Sequence, residues 1–156
     1  MRKIIMLMLT VLGLALQPLS AQNTEGSDNY KYYKAVELLD EGGDPQEARK
    51  LAVENIKANP KHIDSYLLIA GIDRREADYA SALRQIEQAM KNNHKDSGFS
   101  EALLLWWKAI IYDELGNTRK AVDTMEQVVK MARKTDKEHL VSMMENLAQF
   151  RYDLKE

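Results

Sequence analysis

GDPQEARKLAVENIKANPKH (residues 43–62) and ADYASALRQIEQAMKNNHKD (residues 77–96) are two copies of one pattern, 34 residues apart. Superposing them sets Asp44 on Asp78, Ala48 on Ala82, Ala52 on Ile86, Ile56 on Met90 and Asn59 on Asn93. Within each copy, small and apolar residues recur at spacings of three and four, which gathers them on one face of a helix. A third copy, GNTRKAVDTMEQVVKMARKT (residues 116–135), aligns Ala121 with Ala82 at an offset of 39. The five extra residues fall in the polar stretch from Lys95 to Phe99, where an insertion lengthens a loop and leaves the repeat intact. Repeats of this length are single supersecondary units that bury their apolar faces by stacking on one another.

Each copy is preceded by another helical pattern: Tyr32, Ala35, Val36 and Leu39; Tyr66, Ile69 and Ala70; Leu105, Ala109 and Tyr112. The unit is therefore a pair of helices. Gly42-Gly43-Asp44-Pro45, Ala77-Asp78 and Gly116-Asn117 separate the two partners and are suited to ending one helix and capping the next. No segment sustains a period of two, so an all-α fold without a sheet is expected.

These residues resemble the tetratricopeptide repeat family. The first unit, 29–62, carries Tyr32, Gly43, Ala48, Ala52 and Pro60; the second, 63–96, carries Tyr66, Ile69, Ala70, Asp78, Tyr79, Ala82, Ile86 and Ala89. The third, 102–135, carries Ala109, Tyr112, Gly116, Ala121, Met125 and Val128. The resemblance implies a right-handed superhelical array of helix-turn-helix hairpins. Ala48, Ala82 and Ala121 would then sit where paired helices cross, where a larger side chain overpacks by about 1–3 kcal/mol. Thr135-x-x-Glu138 reads as a capping box. It opens an apolar run (Leu140, Met143, Met144, Leu147, Phe150, Tyr152, Leu154) taken as a C-terminal capping helix over 136–154, covering the last hairpin. Two positions depart from the family. Asp73 stands where it has an aromatic, with Arg74 or Arg75 as its expected partner, and Lys108 stands where it has a large apolar residue.

The N-terminus has another character. Met1-Arg2-Lys3 is basic, Ile4 to Leu16 is apolar apart from Thr10, and Leu19-Ser20-Ala21 ends in small residues. This is the pattern of a secretory signal peptide over 1–21, shorter in its apolar part than the roughly 20 residues that span a bilayer. No second apolar stretch of that kind follows, so no transmembrane segment is expected in the mature chain. Residues 22–28, QNTEGSD, read as a flexible lead-in to a domain at 29–156. An exported protein of the periplasm, envelope or exterior is expected. The net charge is −2, and losing Arg2 and Lys3 with the leader makes it −4. Such a chain lacks the basic stripe that a nucleic-acid partner requires.

Chemistry is sparse. The sequence has no cysteine, which removes disulfides, thiolate metal sites and thiol nucleophiles. His62, His94 and His139 are scattered over loops and the cap without carboxylates at metal-ligand spacing, and are read as surface histidines. Carboxylate pairs such as Asp113/Glu114 and Glu37/Asp40 fall at helix ends, and Gly42-Gly43 is a turn and not a phosphate cradle. No catalytic residue, metal or cofactor is expected.

The resemblance points instead to the concave wall that the first helices line. Its positions here are Tyr30, Tyr33, Lys34, Glu37 and Asp40; Asp64, Leu67, Leu68, Gly71 and Arg74; Leu103, Trp106, Trp107, Ile110 and Asp113. One subclass of the family grips a C-terminal carboxylate with lysine, asparagine and arginine at some of these places. Here Tyr33, Glu37, Leu68, Leu103 and Trp107 occupy them, so that clamp is absent. The expected function is binding of a protein or peptide through Tyr30, Tyr33, Glu37, Leu67, Arg74, Leu103, Trp106, Trp107, Ile110 and Asp113, with large aromatics as anchors. The alternative is a self-associating envelope protein, a homodimer for example, that uses the same surface. The run Ala102–Ile111 is apolar almost all round, which also fits simple burial.

Overall fold

A computed structural model describes residues 29–95 and 97–155 of the chain. The expected leader at 1–21, the lead-in at 22–28 and Asp96 lie outside the described residues. The described residues are all-α, with seven helices and no strand: α1 (Tyr30–Asp40), α2 (Pro45–Ala58), α3 (Ile63–Arg75), α4 (Tyr79–Asn92), α5 (Glu101–Glu114), α6 (Thr118–Thr135) and α7 (Leu140–Leu154).

The turns inside the three pairs share one construction. At the end of α1, Gly43 N–H donates to the Leu38 carbonyl at 2.8 Å and Gly42 N–H to Leu39 at 3.2 Å. At the end of α3, Asp78 and Ala77 donate to Asp73 and Arg74 at 2.8 and 3.1 Å. At the end of α5, Asn117 and Gly116 donate to Tyr112 and Asp113, both at 2.8 Å. Nested bonds of this kind satisfy the orphan carbonyls of a helix end and force a left-handed residue between them. That residue has φ +75° at Gly42 and at Gly116, and +59° at Ala77. The next helix then starts on a side-chain cap: Asp44 accepts from Gln46 N–H at 2.9 Å ahead of Pro45, Asp78 from Ser81 at 2.9 Å, and Asn117 from Lys120 at 3.4 Å.

Packing follows chain order. α1 lies against α2, α3 against α4 and α5 against α6, while α2–α3, α4–α5 and α6–α7 join the pairs in series. Ala48, Ala82 and Ala121 are fully buried, as is Ala109. Three apolar clusters follow one another. Tyr32, Ala48 and Ala52 meet Leu68, Ile69 and Ile72; Tyr66, Leu67 and Ile86 meet Leu104 and Trp107; Trp106, Met125 and Val128 meet Met143 and Phe150 of α7. α7 thus completes the last cluster.

Three details differ from the expectations. Thr135 opens no helix: it is the last residue of α6, with its hydroxyl on the Met131 carbonyl at 3.1 Å. Asp136 breaks the chain there instead. It accepts from the Ser100 hydroxyl at 2.8 Å and from His139, at 2.7 Å from the ring Nδ1 and 3.4 Å from the backbone N–H, an alternative to helical bonding that short polar side chains offer. The terminal helix therefore begins at Leu140 and not at 136. The histidines are not all surface residues either. His94 is exposed, but His62 is half-buried against the Tyr32 ring, centroids 4.8 Å apart, and His139 is half-buried 6.2 Å from the Trp106 ring.

Candidate functional site

Leu67, Leu68, Gly71 and Arg74 are spaced so that they share one face of α3. Their neighbours divide that face. Leu67 packs with Trp107 of α5 in the middle cluster, whereas Leu68 packs with Tyr32 and Tyr33 of α1 in the first. Gly71 is one turn further on, between the two directions. It has no side chain, and a Cβ built there would have no atom within 4 Å. Packing therefore does not demand a glycine at 71. A glycine inside a helix costs about 0.5–1 kcal/mol relative to alanine, so this position forgoes stability and leaves a recess where a side chain would fit.

α5 and α1 flank this face of α3. On the α5 side, Arg74 Nε donates to Glu114 Oε2 at 2.8 Å and Nη2 to Oε1 at 2.5 Å, a two-pronged pair that joins α3 to α5. The same guanidinium stands 5.6 Å from the centre of the Trp107 ring, within range of a cation–π contact. On the α1 side, Tyr32 and Tyr33 meet edge to face at 5.3 Å, and Lys34 pairs loosely with Glu37 at 3.7 Å, both well exposed. Ile110 and Asp113 of α5 are half-buried, as are Tyr30 and Tyr33 of α1. Burial raises the Asp113 carboxyl, and nearby Asp153 and Glu114 raise it further against the Thr118 hydrogen bond.

The proposed aromatic anchors need correction. Trp106 is 3% exposed and Trp107 8%, so neither stands free on the wall. Trp106 belongs to the cluster beneath α7, with its indole N–H donating to Asn146 Oδ1 at 2.6 Å. The physical reason is the one that Ala102–Ile111 left open: a helix apolar on nearly every side is covered on nearly every side. Leu67 and Leu103 are likewise buried. Of the ten expected binding residues, Tyr30, Tyr33, Glu37, Arg74, Ile110 and Asp113 retain accessible surface.

The two departures from the repeat pattern have partners that sequence reasoning missed. Asp73, fully buried, pairs with Arg49 of α2 and with neither of its arginine neighbours. Lys108 donates to Glu87 of α4 at 3.0 Å and lies 5.7 Å from the Tyr112 ring. Burial alone would depress its ammonium, but the Glu87 hydrogen bond and Tyr112 outweigh that and raise it. Arg49 and Asp73 are 24 positions apart, and Arg74 and Glu114 are 40, so no local spacing announces either pair.

A second polar group lies at the start of α3. His62 Nδ1 and Asn55 Nδ2 both meet the Ser65 hydroxyl, at 3.0 and 3.1 Å. Burial lowers His62 and raises Asp64, each partly offset by the other, and burial together with Asp64 pushes the Tyr32 phenol well above its ordinary range. These contacts tie α1, α2 and α3 together. Among the described residues no three His, Cys, Asp or Glu side chains are grouped so as to hold a metal ion, and no helix is long and apolar enough to cross a membrane. No family model and no curated protein matches the chain.

Proposed function

We propose that this chain is an exported, non-enzymatic scaffold of tetratricopeptide type that binds a protein or peptide on the wall formed by α1, α3 and α5. The observation that carries the reading is Gly71, an interior helix position left empty between two packed flanks. An apolar side chain of the partner enters that recess. Arg74, held by Glu114 and Trp107, and the Lys34–Glu37 pair supply a polar border on either side. Because both tryptophans are buried, the contact is made by Tyr30, Tyr33, Ile110 and the α3 backbone, which implies modest affinity more than a dominant aromatic hot spot. The pattern of residues 1–21 supports action in the periplasm or outside the cell. Three hairpin turns of one construction support the family assignment.

The test is capture of a partner from envelope extract by the wild-type protein and by Gly71→Phe, which fills the recess. Gly71→Phe should lose at least tenfold in affinity with little change in melting temperature. Undiminished capture by a folded Gly71→Phe protein contradicts the proposal.

A further inference from the structure

Ser65, in the first turn of α3, is fully buried, so its hydroxyl proton needs an acceptor inside the protein. Among the described residues two groups meet that oxygen. One is the amide Nδ2 of Asn55 on α2, at 3.1 Å, itself buried and able only to donate. The other is His62 Nδ1, at 3.0 Å. The hydroxyl proton that Asn55 Nδ2 cannot accept therefore goes to Nδ1, which is an acceptor only while the imidazole is neutral and carries its hydrogen on Nε2. The bonds run from Asn55 through Ser65 to His62, and the acceptor at their end is a group that titrates.

Protonation breaks this chain. A charged His62 turns Nδ1 into a donor, so the Ser65 oxygen faces two donors while its own hydrogen is left without a partner in a buried site. His62 also holds the N-cap position of α3, where the helix dipole disfavours positive charge. Few groups face the ring: the Tyr32 phenol from α1, ring to ring at 4.8 Å; the neutral Asn55 from α2, through Ser65; and Ser65 with the Asp64 carboxylate from α3. Burial lowers His62, outweighing Asp64 and a backbone hydrogen bond, which favour the proton.

The ring covers Tyr32, through which the first turn of α1 enters the first apolar cluster. That turn has little else to hold it. Asn29 forms no side-chain cap and its buried Oδ1 has no hydrogen-bond partner, while the Lys31–Glu54 pair to α2 lies at the surface, where ion pairs contribute little. We infer that His62, Ser65 and Asn55 form a proton-operated latch between the first two hairpins: neutral His62 holds the start of α1 against α3, and protonated His62 leaves Ser65 and releases it. The folded chain binds fewer protons at His62 than the unfolded chain does. The latch is therefore closed above about pH 6.5, and its contribution is lost as the pH falls from there through the folded value. α1 carries Tyr30, Tyr33 and Glu37, so acid would also open one side of the wall; that consequence rests on the proposed function, whereas the latch is a property of the free chain.

Nitrogen-15 NMR of the imidazoles in the purified exported protein, without a partner, reads the tautomer, and amide hydrogen exchange reads the hold on α1. At about pH 7.5 His62 should carry its hydrogen on Nε2. Between about pH 7.5 and about pH 5.5 the protection of α1 amides, corrected for intrinsic exchange, should fall at least tenfold while that of α5 amides holds. His62→Gln offers Ser65 an oxygen that accepts and never becomes charged, so it should keep α1 protected at both pH values. Ser65→Ala removes the hydroxyl that demands a neutral ring, so the His62 titration should move up. A hydrogen on Nδ1 at about pH 7.5 overturns the proposal, as does a His62 titration unmoved in Ser65→Ala, and both readings stand even where His62→Gln fails to fold. Wild-type α1 protection that is equal at the two pH values also overturns it, and so does a loss as steep in His62→Gln, which would assign the effect to Asp64 or another group.

Discussion

Trp106 and Asn146, 40 positions apart, are joined by an indole N–H···Oδ1 bond of 2.6 Å that fastens α5 to α7. Trp106→Ala removes a buried indole from the last cluster and should cost about 3–5 kcal/mol. Asn146→Leu leaves the indole N–H without a protein partner and should cost about 1–3 kcal/mol. Chemical denaturation measures both. An unchanged midpoint for Trp106→Ala would mean that α7 does not cover this residue in solution.

Ala77 holds the left-handed position that Gly42 and Gly116 hold in the other two turns. Left-handed backbone disfavours any residue with a Cβ, so Ala77→Gly should stabilise the protein by about 0.5–1 kcal/mol, and Gly42→Ala or Gly116→Ala should destabilise it by about 1 kcal/mol. Opposite signs for one pair of residue types are the signature to look for in thermal unfolding.

Arg49 is the only cation paired with the buried carboxylate of Asp73 among the ion pairs described. Arg49→Met strands that charge and should cost about 2–3 kcal/mol, discounted from a fully buried pair because part of the arginine reaches solvent. Arg49→Met/Asp73→Leu should recover most of the loss, since apolar groups that fill the same space need no counter-charge. A double variant as unstable as Arg49→Met would contradict this.

These cases show which features were legible in the sequence. Turn residues and buried alanines act within a few positions of chain, so Gly116-Asn117 or Ala82 could be read directly. Asp136 was missed because Thr135 and Glu138 match a capping box, while the side chain that wins the competition draws on Ser100 of a distant loop. The rotation of α5 was hidden for a different reason: Leu103, Leu104, Trp106 and Trp107 point several ways round one helix, and their periodicity does not say which side α7 takes. Gly71 could be placed on the face of α3 that carries Leu67, Leu68 and Arg74, but not the open space over it, which depends on tertiary packing.

Asp136 also sets a pH dependence. Burial raises its carboxyl, but hydrogen bonds from His139 and Ser100 outweigh that and hold it below the ordinary value. A carboxyl depressed in the folded state binds fewer protons than in the unfolded chain. Its contribution is therefore present above about pH 4 and is lost as the pH falls through the folded value. Comparing Asp136→Asn with wild type by melting temperature should show the largest gap near neutral pH, about 1 kcal/mol from the lost junction, narrowing below about pH 4. A constant gap would place the contribution elsewhere.

On the proposed function, a partner binds the α1–α3–α5 wall over Gly71. The most direct measurement is amide chemical-shift mapping of the isotope-labelled protein titrated with the captured partner. Leu67, Leu68, Gly71, Arg74, Trp107 and Ile110 should move most, with little change at exposed residues of α2, α4 and α6. Perturbations confined to those second helices or to α7, with Gly71 unmoved at saturation, would contradict it.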